Sequence, residues 1–467
     1  FDELDEAPGG RPYDIVIYGA TGYSGCLMVE HLDALLSEEG AVPHTWAVAG
    51  RNRKKLDKIA ANCRSSPGVI EVTDRPGLDL MAEVASVVVN AAGPYIVCGT
   101  DVVSACVEKR THYVDIAGEL IWMKRMIKAH HKRAQEDGVM IVNCAGVMCA
   151  PEDLCCHMLV ERLGPLSRFR LYQMEIGVGG GGGTFFSGYA GYEEMFDHEL
   201  EVLTNPFSLG GGRKCGRRRE DEDPAEAAED GIFPGVWTSG GHATPCAQRV
   251  LRRSCGLFED AGGSGGSLSY GDNIVFEARY CFMQEGLAKQ RAQTTKEPRD
   301  VQGLIKHAKT MKEAVQRGQF APPGGGPTRA ARAEGGMEGF ALAEGESGEW
   351  AHVHYRGPDC FEVTAMTAVT GALVMVEEAE EIRIKERGGV LTPAYAFHGS
   401  TYAKRLSAAP FAGVKGRSVS FELGGGKPKQ DLVEKAVKAC DKKSSDIFQR
   451  QMKGSIPGCW EPPELLK

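Results

Sequence analysis

Tyr18-Gly19-Ala20-Thr21-Gly22-Tyr23-Ser24-Gly25 is the stretch whose reading decides the fold of the N-terminal part. It follows an apolar run at 15–18 and opens a helix-like segment at 25–36. Glycines at 19, 22 and 25 allow a tight turn, close backbone approach and tight helix packing. A helix starting there offers unbonded N–H groups and a positive dipole end to a pyrophosphate. The spacing is G-x-x-G-x-x-G, a variant of the G-x-G-x-x-G dinucleotide fingerprint. Gly19, Thr21, Gly22, Tyr23 and Gly25 are therefore candidate cofactor-binding residues.

The flanking pattern gives this turn its context. Apolar runs of strand length recur at 46–49, 69–72, 87–89, 113–114 and 139–142. Helix-like segments lie between them at 54–62, 100–109 and 119–136. Short β-rich runs separated by helices imply βαβ units and a parallel sheet buried on both faces. Residues 13–150 thus read as a doubly wound, Rossmann-type domain.

The second strand ends at Ala49-Gly50-Arg51-Asn52-Arg53. An NAD-specific domain places a carboxylate near here for the ribose 2′-hydroxyl. None occurs between Val42 and Leu56, whereas Arg51, Arg53, Lys54 and Lys55 do. Guanidinium binds phosphate bidentately, so NADP is preferred over NAD, with Arg51 and Asn52 at the adenosine end. The fourth strand ends at Asn90-Ala91-Ala92-Gly93-Pro94-Tyr95, where small residues let backbone lie against a ribose or nicotinamide. Asn90, Gly93 and Pro94 complete the cofactor set. Tyr95 faces the nicotinamide or packs on a domain interface. Asp115 and Glu119 approach the same crevice from the fifth strand, Glu119 alternatively starting the next helix, where acids are favoured. Tyr95, Asp115 and Glu119 are the candidates for proton supply and substrate orientation.

Beyond Pro151 the alternation weakens. Residues 168–178, 273–283 and 352–355 are strand-like, so 151–360 reads as a mixed α+β substrate or dimer domain. Two polar stretches, 209–231 and 321–349, read as solvated loop insertions, the first from its adjacent basic and acidic tracts and the second from its Pro/Gly/Ala/Glu content. Residues 361–415 return to helical patterning. The chain closes with a tail at 416–467 holding one helix near 431–440, and residues 1–12 read as an N-terminal arm.

Composition sets the outer limits. The chain has 467 residues, 42% hydrophobic and 25% charged, which excludes a wholly disordered chain. A net charge of −9 argues against nucleic acid as the main partner. The apolar run at 363–376 is too short to span a bilayer and reads as a buried helix, so no transmembrane segment is expected. The 15 cysteines include no C-x-x-C spacing, so no metal site is expected. They imply a reducing intracellular compartment, cytoplasm or organelle interior.

Four segments together resemble the saccharopine dehydrogenase-like oxidoreductases and the related trans-acting enoyl reductases. These are Gly-Ala-Thr-Gly-Tyr-Ser-Gly at 19–25, Ala-Gly-Arg-Asn-Arg-Lys-Lys-Leu at 49–56, Asn-Ala-Ala-Gly-Pro-Tyr at 90–95 and Tyr-Val-Asp-Ile-Ala-Gly-Glu at 113–119. Gly183-Thr184 with Ser187, and Gly-Gly-Val-Leu-Thr-Pro at 388–393, extend the similarity. The resemblance implies an NADP-binding Rossmann domain, a mixed second domain and a C-terminal segment that returns to the first. It also implies hydride transfer to a C=N or C=C bond, with a small molecule or a lipid as substrate. The alternative is a catalytically silent accessory subunit of a larger, membrane-associated complex that keeps the nucleotide-binding fold. A homodimer or a place in such a complex is compatible with either.

Overall fold

The computed structural model describes residues 10–177, 179–211, 216–262, 268–296, 298, 300–319, 321–383, 386–452 and 464–466. Most of the expected N-terminal arm lies outside them. Its last turn is anchored: the Arg11 guanidinium donates to the carbonyls of Ala82 and Lys109 at 2.9 and 2.7 Å.

The strand-length runs form a parallel sheet. In chain order its elements are β1 (Tyr13–Tyr18), α1 (Tyr23–Leu36), β2 (Trp46–Gly50), α2 (Arg53–Asn62), β3 (Gly68–Glu71), α3 (Arg75–Val84), β4 (Ala85–Asn90), α4 (Tyr95–Glu108), β5 (His112–Asp115), α5 (Leu120–Glu136) and β6 (Met140–Val142). The spatial order β6-β5-β4-β1-β2-β3 puts the topological switch between β1 and β4, where Ile15 pairs with Val87 and Tyr18 with Asn90. A ligand crevice opens there, beyond the carboxyl ends. Helix α3 has no counterpart among the sequence expectations. Asp74 caps it by accepting from Gly77 N at 2.9 Å, Pro76 sits in its first turn, and it buries Leu78, Met81 and Ala82.

The rest of the chain comprises α6 (Ala150–Leu163), β7 (Leu166–Ile176), α7 (Gly182–Glu193), α8 (Leu200–Thr204), β8 (Ala228–Glu229), β9 (Trp237–Ser239), α9 (Thr244–Ala261), β10 (Val275–Phe282), α10 (Glu285–Thr294), α11 (Val301–Gln316), α12 (Arg329–Glu334), β11 (Gly336–Gly345), β12 (Trp350–Gly357), α13 (Cys360–Glu377), β13 (Gly389–Leu391), α14 (Pro393–Ala396), α15 (Tyr402–Ala408), β14 (Ser420–Gly425) and α16 (Gln430–Met452). A second sheet has the order β14-β12-β11-β7-β10-β9-β8 and is mixed, β7 and β10 being parallel. The fold is thus α/β, a Rossmann sheet joined to a mixed second sheet. The C-terminal return is literal: β13 adds a seventh parallel strand beside β6, and α13 packs on α1, β4 and β5.

Helix α13 is long and apolar enough by composition to cross a membrane, yet residues 363–375 are all buried inside the fold. Two stretches differ from the sequence reading, and a third does so in part. Residues 336–345, within the expected second insertion, are β11, paired to both β7 and β12. Its Ala- and Gly-rich composition has low strand propensity, and burial against two neighbours overrides it. The stretch 416–467 is more than a tail. β14 pairs with β12, and α16 buries Val433, Ala436, Val437 and Cys440 against the second sheet. The described part of 209–231 is irregular but docked, residues 212–215 lying outside the description. Asp230 accepts from Tyr172 Oη at 3.2 Å and pairs with Arg170 at 3.1 Å, while the Asp221 carbonyl accepts from the buried Arg252 at 3.0 Å. Asp230 satisfies a cation inside the second domain and Asp221 is buried, while residues 216–220, 222, 225–226 and 228–229 are exposed, so the run is a solvated loop pinned at two points.

Candidate functional site

The turn between β1 and α1 is held by backbone hydrogen bonds and by Cys26 Sγ, which donates to the Ala20 carbonyl at 3.1 Å. Gly19 N and Ala20 N donate to the Ala49 carbonyl at 3.0 and 3.2 Å, and Gly22 N donates to the Gly19 carbonyl at 2.9 Å. Gly19 has φ +80, and a Cβ on Gly25 would lie 2.2 Å from Gly19 O. Both positions therefore require glycine. No side chain caps α1 at Gly22 and no acid lies in its first turn, so its N-terminal dipole faces the crevice uncompensated. The Thr21 hydroxyl sits beside Gly50 at the end of β2. These features suit a pyrophosphate: a cradle that a Cβ would fill, with N–H groups left over.

Arg51 is exposed just beyond β2 and makes no ion pair among the described residues. Its charge reaches Tyr18 at the end of β1 and Cys98 in the first turn of α4, which places it over the crevice. Arg53 is committed to Asp57 at 2.7 Å. Asn52 caps α2 by accepting from Lys55 N at 3.0 Å, so its side chain shapes the turn.

The residues beyond β4 and β5 prove to be the scaffold of the crevice. Asn90 donates to Tyr113 Oη at 3.0 Å and accepts from Ala92 N at 2.8 Å. Tyr95 is buried against Trp122, with ring centroids 5.1 Å apart, and its hydroxyl donates to the Asn90 carbonyl at 2.8 Å. Glu119 accepts from Tyr95 N and Ile96 N, both at 2.8 Å, capping α4 across the crevice and moving its start to Tyr95, ahead of the expected 100. Asp115 is fully buried and accepts from Ala117 N, Cys144 N and Asn143 Nδ2 at 3.0, 3.1 and 2.6 Å. Burial raises its pKa to about 7 against these hydrogen bonds. Tyr95 and Asp115 are engaged within the Rossmann domain, and Glu119 also takes a side-chain hydrogen bond from Ser187 of α7. Gly93 lies at the surface under Ser187 of α7, and the Pro94 carbonyl accepts from Val97 N and Cys98 N.

The second domain covers the cofactor turn. Of the five-glycine run, Gly182 N donates to the Gly325 carbonyl at 3.0 Å, and a Cβ on Gly182 would strike Pro322 O at 1.9 Å. The 321–327 loop therefore lies directly on the run, and Gly326 lies on the Tyr23 ring. Tyr23, within the fingerprint itself, donates to the Pro327 carbonyl and accepts from Arg332 Nη1 at 2.9 Å. Its ring meets Phe361 edge-on, with centroids 5.1 Å apart. The fingerprint tyrosine thus joins the domains.

A second feature escapes the sequence reading. A small cavity opens between the 143–149 connection and the inner face of the second sheet, lined by Met148, Glu152, Gln173, Tyr280, Tyr355 and Cys360 among others. Glu152 Oε2 and Gln173 Oε1 are buried there without partners. Burial, helped by the charges of Asp153 and Glu175 and opposed by hydrogen bonds, raises Glu152 to about 8, so the carboxyl is protonated at neutral pH. Stability from this group is complete below its unfolded pKa and is lost as pH rises toward 8. The melting temperature of Glu152→Gln is therefore expected to match the parent at pH 5 and to exceed it increasingly up to pH 8. Parallel melting curves at the two pH values would refute this.

Residues 15–142 match the family model of the saccharopine dehydrogenase NADP binding domain. A trans-acting enoyl reductase of Mycobacterium leprae (strain TN) is 29% identical over 429 residues, covering 87% of this chain and 98% of that protein. A lipid droplet localized protein of Caenorhabditis elegans is 38% identical over 156 residues, 32% of this chain and 36% of that protein. A saccharopine dehydrogenase-like oxidoreductase of Bos taurus is 35% identical over 156 residues, 31% of this chain and 36% of that protein. NADP is accordingly the cofactor of the N-terminal domain, which is of the saccharopine dehydrogenase NADP-binding type over residues 15–142, and the chain beyond it is similar to trans-acting enoyl reductases.

Proposed function

We propose that this protein is an NADPH-dependent reductase that saturates a C=C bond of a lipid-like substrate, a C=N bond being the second candidate. The observation that carries the proposal is the bare, glycine-lined N-terminus of α1 with the unpaired Arg51 beyond β2. Near full-length similarity to trans-acting enoyl reductases supports the C=C choice.

Gly19, Gly22 and Gly25 admit the pyrophosphate and α1 offers it N–H groups. Arg51 binds the 2′-phosphate, and Thr21 and the 91–94 turn line the ribose side. Asn90, Tyr95 and Glu119 hold that turn and the start of α4 in place, and Asp115 fixes the 143–149 connection. They are positioning residues. When bound, the cofactor supplies hydride. Glu152 holds a proton at neutral pH beside the small cavity between the sheets, which must widen to admit a substrate before Oε2 can pass that proton on. Methionine walls from Met148, Met174 and Met337 suit an apolar chain.

Arg51→Ala is expected to weaken NADPH binding about ten- to a hundredfold, the equivalent of 1.5–3 kcal/mol for a hydrogen bond to a charged group, and to leave NADH binding nearly unchanged. Paired titrations following nicotinamide fluorescence read this out. Equal loss for both cofactors would assign Arg51 to the fold. NADPH oxidation with enoyl or imine substrates tests turnover, and tight NADPH binding with no turnover on either would favour the accessory-subunit role.

A further inference from the structure

We propose that Cys144, Cys149 and Cys246, with Met123 as a fourth sulfur donor, form a buried binding site for a thiophilic d10 metal ion, copper(I) or zinc(II). The three Sγ atoms lie within 4.8 Å of one another. Cys149 Sγ and Cys246 Sγ are 3.6 Å apart, and Cys144 Sγ stands 3.4 Å from Met123 Sδ. Four sulfurs at about 2.3 Å from a tetrahedral metal stand about 3.8 Å from each other, so small side-chain adjustments close the shell. All four residues are buried. The donor set is entirely sulfur, which suits copper(I) and zinc and disfavours magnesium or calcium.

The backbone prepares the cluster. The β6–α6 connection takes left-handed φ at two residues with side chains, Cys144 (φ 60) and Met148 (φ 67). Such conformations concentrate where the surroundings enforce a functional shape. Asp115 enforces this one through its bonds to Asn143, Cys144 and the Ala145 N–H. Cys149 is the N-cap of α6 and makes no capping hydrogen bond, and Cys246 lies in the first turn of α9, which no side chain caps. Two helix N-termini therefore converge on the sulfurs.

Binding exchanges thiol protons, released to solvent, for metal–sulfur bonds, with no change in oxidation state. The ion would clamp α9 of the second domain to the carboxyl edge of the Rossmann sheet. It would also fix Met148, whose Sδ accepts from Tyr280 Oη in the cavity wall. Sequence spacing conceals the site because Cys149 and Cys246 are 97 residues apart.

The test uses the full chain, purified under reducing conditions, stripped with a chelator and titrated anaerobically with zinc(II) or copper(I) against a chromophoric competitor. One tight equivalent is expected. Cys149→Ser and Cys246→Ser should each weaken it at least tenfold, with melting curves confirming that both variants fold. Cys255→Ser, a buried cysteine of α9 outside the cluster, should bind like the parent. Cobalt(II) loading should give sulfur-to-cobalt charge-transfer absorption that both cluster variants lose. Met123→Leu should weaken copper(I) more than zinc(II), for which water can replace the thioether, and this separates the two ions. No stoichiometric tight binding by the folded parent, or binding unchanged in both cluster variants, would overturn the site. So would a Cys149–Cys246 disulfide mapped in the freshly isolated protein.

Discussion

Gly22→Val and Gly25→Ala are both expected to abolish measurable NADPH binding, for different physical reasons. A Cβ on Gly25 would sit 2.2 Å from Gly19 O and 2.8 Å from Gly19 C, both backbone atoms of the same turn. The turn must open to relieve the overlap, so this variant loses stability together with the cofactor. A Cβ on Gly22 would approach Gly19 O only to 3.2 Å, a contact that slight adjustment accommodates. The valine branches then occupy the space at the α1 N-terminus needed by the pyrophosphate. Gly22→Val should fold like the parent and still lose the cofactor. Hydrogen bonds to a charged group contribute about 1.5–3 kcal/mol each. Losing two or more corresponds to at least roughly a hundredfold in affinity. Nicotinamide fluorescence titrations with melting curves separate the two variants. Parent-like binding by Gly22→Val would show that this turn does not hold the pyrophosphate.

The contrast between these glycines shows what the sequence made legible. A strand, a glycine turn and a helix in that order leave one arrangement, because parallel strands with helical crossovers have a fixed hand and ligands sit at their carboxyl ends. Backbone constraints of this kind are local and can be read from residue order. The roles of Tyr95, Asp115 and Glu119 could not be read so. Sequence places them at the ends of the fourth and fifth strands, but a side chain at a strand end faces either the ligand or its own scaffold. Glu119 caps a helix that begins 24 residues before it, and Tyr95 seals the Asn90 carbonyl. Those partners are fixed only once the sheet has assembled. Likewise β11 looked like an insertion because small residues carry little strand propensity, and β14 and α16 looked like a tail because their partner strands lie far away in the chain. The joint between the domains had no local signature either, since it pairs a fingerprint tyrosine with residues 300 positions on.

That joint carries the second large expected effect: Glu362→Ala should cost about 3–5 kcal/mol of stability, the scale for removing one partner from a buried ion pair. Glu362 is 2% exposed and Arg332 is 4% exposed. One Glu362 oxygen meets Arg332 Nε at 3.1 Å and the other meets Arg417 Nε at 2.6 Å. Arg417 also donates to the Arg332 carbonyl at 3.0 Å, so a single carboxylate serves two guanidinium groups. Without it, Arg332 keeps only its neutral acceptors, Tyr23 Oη and the Pro327 carbonyl, each at 2.9 Å. Its charge then remains buried, and Arg417 must turn toward solvent. Glu362→Gln keeps the shape and one acceptor but not the charge, and should lose less. An Arg332→Met, Glu362→Leu double variant should recover part of the loss, because it removes the stranded cation together with its partner. Urea unfolding at neutral pH measures all three. A loss below about 1 kcal/mol for Glu362→Ala would mean that water reaches the joint, since that is the range of exposed pairs. Because Arg332 also holds Tyr23 in the cofactor turn, Glu362→Ala should weaken NADPH binding even where the protein is folded, whereas a purely distant structural pair would leave it intact.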